Sequence, residues 1–150
     1  DRQALKLSDL LSKLAADHRG AAKQQDIDLR LDIRGSAGTI LADSRRVRQA
    51  LDHVLGNALS YAGAGAAVLI FADGTRDAAR IVVSDNGPGM DGKSQARALN
   101  RLESAKDDLS GQGGLGLPFA RQLIEAHDGT LELISQLGEG TMVTIGLPRS

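Results

Sequence analysis

The chain has 150 residues, close to the usual size of one domain, and its 41% hydrophobic and 25% charged content predicts a packed globular core. The absence of cysteine excludes disulfides and cysteine-type zinc sites, and a net charge of −1 with 2% aromatic residues argues against nucleic-acid binding. No apolar run is long enough to span a bilayer, so we expect no membrane segment here. Since the sequence does not begin with Met, we expect residues 1–150 to form a single domain of a longer protein.

The first elements predicted along the chain are a short strand, a helix and a longer strand. Residues 5–7 favour a strand, Ser8 is a good N-cap, and apolar side chains at helical spacing predict a helix over residues 9–25. Residues 27–33 alternate strictly between apolar and charged side chains, which is typical of a strand with one buried face.

A second helix is predicted after a loop at residues 35–38. We expect either Asp43 or Ser44 to cap it, because both side chains can accept hydrogen bonds from free backbone N–H groups. Its apolar stripe is predicted to consist of Val47, Leu51, Val54, Ala58 and Tyr61.

Two strands and a long loop are predicted next. Residues 66–72 and 80–84 read as an antiparallel pair joined around Asp73 and Gly74. The polar, glycine-rich segment at residues 85–114 is long for a loop in a compact domain, and such loops usually serve a function.

The end of the chain predicts a third helix and a last hairpin. The helix covers residues 115–126, and the hairpin pairs a strand around residues 131–133 with one at residues 142–147. Three amphipathic helices on one face of a mixed, mostly antiparallel sheet would bury every apolar surface in two layers. The predicted fold class is therefore α+β, a two-layer sandwich.

The second helix also carries a polar stripe, which contains Gln49, His53, Asn57 and Ser60 at helical spacing. Small residues on both sides of Asn57 leave room for a ligand to approach. Two interpretations are open from the residues alone: a solvated helix face, or a face on which the Asn57 amide meets a ligand.

Asp85 follows a strand of β-branched residues and leads into a Gly-Pro-Gly turn. A carboxylate only accepts hydrogen bonds, so Asp85 suits an exocyclic amine such as that of adenine. Gly87 and Gly89 would let the backbone pass close to a planar ligand. The alternative is a tight turn in which Asp85 caps neighbouring backbone amides.

A second glycine-rich stretch, residues 111–116, runs directly into the third helix. Free amides and the helix dipole at such an N-terminus favour phosphate. The stretch also satisfies the G-x-G-x-x-G pattern, but no strand is predicted before it and a hairpin follows the helix. A dinucleotide-binding βαβ unit is therefore disfavoured.

Taken in order, these stretches resemble the catalytic, ATP-binding domain of bacterial sensor histidine kinases. Residues 47–58 resemble its N box, residues 85–90 its G1 box and residues 113–117 its G2 box, while residues 121–130 and 138–141 resemble its closing stretch. Their order and spacing match over nearly the whole chain. The resemblance implies the Bergerat-type ATP-binding fold that these kinases share with gyrase and heat-shock ATPases.

The resemblance also implies roles for individual residues, with ATP and Mg²⁺ as cofactors. His53 and Asn57 would be the catalytic residues, and Asn57 would hold the Mg²⁺ that bridges the phosphates. Asp85 would bind the adenine amine, with Thr141 behind it. The other implied nucleotide contacts are Ser60, Tyr61, Gly87, Gly89, Met90, Gly113, Gly114, Leu115, Gly116 and Leu117.

Three departures from the family pattern leave an alternative function open. His53 stands where most members carry Asn, Ser60 where most carry Lys or Arg, and the implied lid at residues 91–112 lacks a Phe-x-x-Phe-like F box. His53 could be a surface histidine, a partner of the phosphate or Mg²⁺ site, or a general base. The alternative to a kinase is a nucleotide-binding pseudo-kinase, a regulatory docking module without phosphotransfer.

The phosphoacceptor motif of such kinases, a His followed by an acid with a Pro nearby, is absent, and we expect His18 and His127 to be structural. The resemblance therefore implies phosphotransfer to a histidine on the separate dimerisation domain of the same kinase. It also implies a response regulator as partner and a cytoplasmic location, with any membrane anchor elsewhere in the parent chain.

Overall fold

The computed structural model describes residues 2–86, 116–136 and 140–150. Within them, three α-helices pack with a five-stranded sheet, which confirms the predicted α+β sandwich. No helix in these residues is long and apolar enough to cross a membrane. In chain order the elements are β1 (Gln3–Lys6), α1 (Leu7–Gln24), β2 (Asp28–Ile33), a 3-10 helix (Gly35–Ala37), β3 (Thr39–Ala42), α2 (Ser44–Ala62), β4 (Ala67–Gly74), β5 (Ala78–Asp85), α3 (Gly116–Glu125), β6 (Thr130–Gln136) and β7 (Gly140–Pro148).

The main sheet has the strand order β2-β4-β5-β7-β6. Strand β2 pairs in parallel with β4, and the three other pairs are antiparallel. This confirms the antiparallel pairing predicted for β4 with β5 and the hairpin predicted for β6 with β7. Strands β5 and β7 therefore lie side by side, each with a neighbour on its other edge.

The core lies between this sheet and the helices. Because side chains alternate along a strand, Ile81 and Val83 of β5 and Ile145 of β7 all face the helices, and each is at most 1% exposed. The same alternation puts Asp85 and Thr141 at one end of these rows. Polar side chains thus end two rows that are otherwise apolar.

Helix α2 is the central helix, since it contacts α1, α3 and the strands β4, β5 and β7. Asp43 is its N-cap and accepts the backbone N–H groups of Arg45 and Arg46 at 3.1 and 3.3 Å, which selects one of the two predicted caps. The prediction that Tyr61 belongs to the apolar stripe is wrong. Its side chain is 42% exposed, because Leu59 and Ala62 face the core in the last turn.

The start of α1 differs from the prediction. Ser8 is not the N-cap, because the helix begins at Leu7 and Lys6 occupies the cap position without a side-chain capping bond. The Leu7 N–H instead donates to the Gly38 carbonyl at 3.0 Å. This bond is made where β1 pairs with β3 in a small antiparallel sheet that was not predicted, and a 3-10 helix occupies most of the predicted loop at residues 35–38.

The turn between β4 and β5 lies at residues 75–77, so the prediction of a turn around Asp73 and Gly74 is wrong. Asp73 accepts two hydrogen bonds from the Arg80 guanidinium, at 2.8 and 2.6 Å, across the two strands. Gly74 pairs with Ala79 in the ladder. This ion pair extends both strands beyond the predicted residues.

Candidate functional site

Asp85 is the last residue of β5, and its side chain is largely enclosed, with 9% relative exposure. Ser84 pairs with Met142 of β7, so the next residue at this end brings Asp85 beside Thr141, which is 8% exposed. A carboxylate and a hydroxyl group therefore meet at the end of the two central strands. Both predicted adenine-site residues that the structure describes are brought together here.

These residues line a pocket of about 360 Å³. Small-molecule sites usually measure roughly 300–1,000 Å³, so this volume suits a group the size of a nucleobase. The lining consists of Ser84, Asp85, Ile134, Ser135, Gly140, Thr141 and Met142.

Gly140 brings the first residue of β7 into direct contact with the end of β5. Its φ of +97° is a conformation that other residues rarely adopt. A Cβ atom at this position would lie 2.0 Å from the Asp85 carbonyl oxygen, where only a hydrogen fits. The close approach of the two strands at the pocket therefore requires glycine.

Asn86 anchors the chain where it leaves the sheet. Its Oδ1 atom accepts the Ala67 N–H at 2.7 Å, and its own N–H donates to the Ala67 carbonyl at 3.2 Å. This pair of bonds ties the residue after Asp85 to the start of β4. The Asp85 backbone is consequently held on both sides, by Asn86 and by Gly140.

Ser135 is a pocket residue that sequence reasoning missed. Its side chain is 4% exposed, and its hydroxyl lies 2.9 Å from that of Thr141. A signal for it existed: Leu131 and Leu133 face the core, and the next position of the same alternation is a polar Ser135.

Asn57 lies in the second half of α2, half-buried. The end of α2 leads through a short connection to the start of β4, and Val68 near that start pairs with Asp85. The C-terminal half of α2 therefore runs towards the same end of the sheet as the pocket. Asn57 and Asp85 reach that end from different layers.

His53, one turn before Asn57, packs against α3. Its ring lies edge-on to that of Phe119, with 5.0 Å between the ring centroids and an interplanar angle of 76°. Edge-to-face contacts of this kind stabilise packing. The His53 ring is therefore partly covered by α3, and its interpretations as a surface histidine, as a partner of the phosphate or Mg²⁺ site and as a general base all stay predictions.

Ser60 and Tyr61, two other predicted nucleotide contacts, lie in the last turns of α2 and are exposed. The Ser60 hydroxyl donates to the Gly56 carbonyl at 3.0 Å within the helix. It therefore satisfies its hydrogen in the backbone of its own helix, and a hydroxyl cannot supply the positive charge of the Lys or Arg expected there.

Gly116 is the first residue of α3, and the side chain of Leu117 in its first turn is 1% exposed. Any contact of Leu117 with a ligand would thus be made by its backbone. Six predicted contacts lie outside the described residues, as does the implied lid: Gly87, Gly89, Met90, Gly113, Gly114 and Leu115.

The two other histidines have structural partners, as predicted. His127 is 6% exposed, and its Nε2 accepts the Asp43 N–H at 3.2 Å, so its Nδ1 donates to the Leu123 carbonyl at 2.9 Å. His18 on α1 lies 2.9 Å from the Asp52 carboxylate on α2. Both side chains therefore serve to connect elements of the fold.

The donor set tests whether Mg²⁺ fits this site. Among residues 2–86, 116–136 and 140–150, no three His, Cys, Asp or Glu side chains cluster to form a metal cage. Mg²⁺ is commonly bound by one or two protein oxygens together with substrate phosphates and water. A single amide oxygen from Asn57 fits that mode.

Residues 42–150 match the model of the family described as histidine kinase-, DNA gyrase B- and HSP90-like ATPase. Among curated proteins, the chain is similar to the adaptive-response sensory kinase SasA of Parasynechococcus marenigrum. The two are 34% identical over 128 residues, which cover 83% of the chain and 33% of that kinase. The chain thus spans about a third of the length of this relative.

Two histidine kinases of known structure are also similar. The nucleotide-free catalytic domain of ThkA superposes with a TM-score of 0.83 at 18% identity, over 99% of the chain and 96% of that domain. ThkA in a complex with the response regulator TrrA superposes with a TM-score of 0.80 at 17% identity, over 99% of the chain and 42% of that protein. Full-length ShkA bound to AMPPNP superposes with a TM-score of 0.82 at 29% identity, over 99% of the chain and 31% of that protein.

Proposed function

Because the chain belongs to the family of histidine kinase-, DNA gyrase B- and HSP90-like ATPases, we propose that it is the catalytic domain of a sensor histidine kinase. It binds ATP with Mg²⁺ and donates the γ-phosphoryl group to a histidine on a separate dimerisation domain. The observation that carries this proposal is the enclosed Asp85 carboxylate beside Thr141 at one end of the central strands.

The base is held by Asp85. An adenine amine donates hydrogen bonds and a carboxylate accepts them, so the two are complementary in a largely enclosed site. A hydrogen bond to a charged group contributes about 1.5–3 kcal/mol. Asn86 and Gly140 fix the backbone around Asp85, which keeps the carboxylate in place before the nucleotide arrives.

The phosphate side of the proposed site would be formed by α2 and the start of α3. Asn57 would hold Mg²⁺ through its amide oxygen, and Mg²⁺ would supply charge neutralisation to the phosphates. The first backbone amides of α3, which begins at Gly116, and the dipole of this ten-residue helix favour phosphate at that helix end. The protein part of catalysis is therefore positioning and charge stabilisation rather than covalent chemistry.

The accepting histidine belongs to another domain. All three histidines of the sequence have packing or bonding partners: His18 with Asp52, His53 with Phe119, and His127 with Asp43. An attacking imidazole must be free to approach the γ-phosphate, which favours a partner as its source. The proposed partners are the dimerisation domain of the same kinase and a response regulator, in the cytoplasm.

A phosphotransfer assay tests this proposal. The chain is mixed with γ-labelled ATP, Mg²⁺ and the histidine-bearing domain of its parent kinase. We expect acid-labile, base-stable label on the partner, the behaviour of phosphohistidine, and none on the chain itself. Tight ATP binding without transfer to that domain would contradict the kinase and favour the nucleotide-sensing pseudo-kinase.

Two variants on α2 make the assay specific. Asn57→Ala should abolish both the transfer and the Mg²⁺-dependent part of ATP binding, because it removes the proposed metal ligand. Gln49→Ala, an exposed polar residue two turns earlier on the same helix, is the matched control and should leave both unchanged. Equal behaviour of the two variants would contradict the assignment of Asn57.

A further inference from the structure

Ser135 is buried in the pocket, and its hydroxyl has two partners on β7. It donates to the Gly140 carbonyl at 3.3 Å and lies 2.9 Å from the Thr141 hydroxyl. We infer that Ser135 fixes the direction of the Thr141 hydroxyl hydrogen and thereby makes Thr141 an acceptor towards the bound base. The inference rests on the proposed function, since it concerns which base the same pocket selects.

The direction follows from counting hydrogens. A serine or threonine hydroxyl has one hydrogen to donate and two lone pairs to accept with. The Gly140 carbonyl can only accept, so the bond from Ser135 to Gly140 uses the serine hydrogen. Both contacts are hydrogen bonds at once when the hydrogen between Ser135 and Thr141 comes from Thr141, which is the arrangement that we infer. The Thr141 oxygen is left with its lone pairs for the pocket.

Two acceptors consequently line one pocket, the Asp85 carboxylate and the Thr141 hydroxyl oxygen. The six-position amine of adenine donates hydrogen bonds, whereas the six-position carbonyl of guanine accepts them. Guanine would place its carbonyl against oxygen lone pairs with no hydrogen between them, and buried polar groups without a partner are costly. Ser135 is therefore a positioning residue that acts on base selectivity through Thr141.

Ser135→Ala tests the inference. It removes the acceptor for the Thr141 hydrogen, so the hydroxyl can turn and donate into the pocket, which lessens the penalty against guanine. Calorimetric titration of the chain with ATP and with GTP, each with Mg²⁺, should show the ATP-over-GTP affinity ratio fall about 3- to 10-fold. An unchanged ratio, including an equal loss of both affinities, would overturn the inference.

Three further variants separate this role from a structural one. Thr144→Val removes a hydroxyl of β7 that lies outside the pocket lining and should leave the ratio unchanged. Thr141→Val should lower the ratio, and adding Ser135→Ala to it should lower the ratio no further. A further fall in the double variant would overturn the inference. If circular dichroism shows Ser135→Ala unfolded, Ser135→Cys, a weaker hydrogen-bonding partner of similar size, should lower the ratio in its place.

The outcomes also distinguish this inference from the proposed function. If the unmodified chain binds neither nucleotide, both fail. If it prefers ATP and neither Ser135 variant changes the preference, the inference alone fails.

Discussion

The two ends of the central strands are built in opposite ways. At the β4–β5 turn, the Arg149 guanidinium donates to the carbonyl oxygens of Ser36 at 2.8 Å and of Thr75 at 2.7 Å, and also to that of Ala37. At the other end, Asp85, Thr141 and Ser135 surround a pocket of about 360 Å³. One end uses a long polar side chain to fill space, and the other keeps space open between short ones.

This difference indicates that the Arg149 end contributes to the stability of the fold and the Asp85 end to nucleotide binding. Arg149 satisfies carbonyl groups that are far away in sequence, up to 113 positions, so it holds the fold together. Asp85 and Thr141 occupy positions where apolar side chains would complete the core rows. These two positions therefore bury polar groups that line the pocket instead of apolar side chains that would add to the core. Substitutions at the Arg149 end should therefore change unfolding, and substitutions at the Asp85 end should change nucleotide binding.

The largest expected effect is a loss of stability together with a loss of ATP affinity. Gly140→Ala puts a Cβ atom 2.0 Å from the Asp85 carbonyl and strains a positive φ, so the two strands must separate at the pocket. We expect about 3 kcal/mol of lost stability and at least a roughly 100-fold loss of ATP affinity. Thermal melts and ATP titration measure the two effects.

The matched control for Gly140→Ala is Gly20→Ala. Position 20 lies on α1 with nothing within 4 Å of the added Cβ atom, so the variant should gain stability through helix propensity and keep its ATP affinity. A Gly140→Ala protein with the melting temperature and ATP affinity of the unmodified chain would show that the close contact of β5 and β7 is dispensable.

The next effect concerns binding alone. Asp85→Asn keeps the size of the side chain but replaces one acceptor oxygen by a donor, so ATP should bind about 10- to 150-fold more weakly, from a loss of about 1.5–3 kcal/mol. Asp73→Asn changes a carboxylate at the opposite end of the same strand pair and is the control. Comparable losses of ATP affinity in both variants would break the distinction between the two ends.

Removing the guanidinium should show the reverse pattern. Arg149→Ala removes the donor to the carbonyls of Ser36, Ala37, Thr39 and Thr75, so we expect about 2 kcal/mol of lost stability and an ATP affinity within about twofold of the unmodified chain. Arg30→Ala removes an arginine that is 69% exposed, and it should change stability by less than about 0.5 kcal/mol. If both variants have the melting temperature of the unmodified chain, the hydrogen bonds of Arg149 do not stabilise the fold.

The smallest effect is a pH dependence at the start of α2. Hydrogen bonds from the Arg46 and Arg45 backbone N–H groups hold the pKa of Asp43 below its usual value. Because the folded-state pKa is lowered, this contribution to stability is complete above the unfolded pKa of about 3.9 and is lost as pH falls through the folded value. Melting temperatures between pH 6 and pH 3 should therefore fall more steeply for the unmodified chain than for Asp43→Asn. Parallel curves would contradict the role of the ionised cap.

Local signals predicted most of the fold. The periodicity of α2 up to Ala58, the alternation of the strands and the final hairpin all depend on neighbouring residues, and the structure confirms them. The structure also selects Asp43 from the two predicted caps of α2. The small β1–β3 sheet was missed because each strand has four residues and its partner lies more than thirty positions away. The β4–β5 turn was misplaced because the ion pair of Asp73 with Arg80 becomes visible once the strands are aligned.

The positions of the candidate site residues could be predicted in part, from the residues themselves for Asp85 and Asn57 and by resemblance for Thr141. Asp85 and Thr141 are together as implied, and Asn57 lies on the helix that runs to the same end of the sheet. Ser135 and Arg149 were missed for a physical reason: each matters through hydrogen bonds to residues that the fold brings near. The alternation of Leu131 and Leu133 signals that Ser135 faces the core but does not identify its partners, and a lone arginine carries no such signal.

The most direct test of the difference between the two ends is an amide NMR titration of the chain with ATP and Mg²⁺. The proposed site predicts that the largest chemical-shift changes fall on Asp85, Thr141 and Asn57, while Ser36, Thr75 and Arg149 keep their resonances nearly unchanged. Changes concentrated at the Arg149 end, or no changes at saturating ATP, would contradict the assignment of the Asp85 end as the nucleotide site.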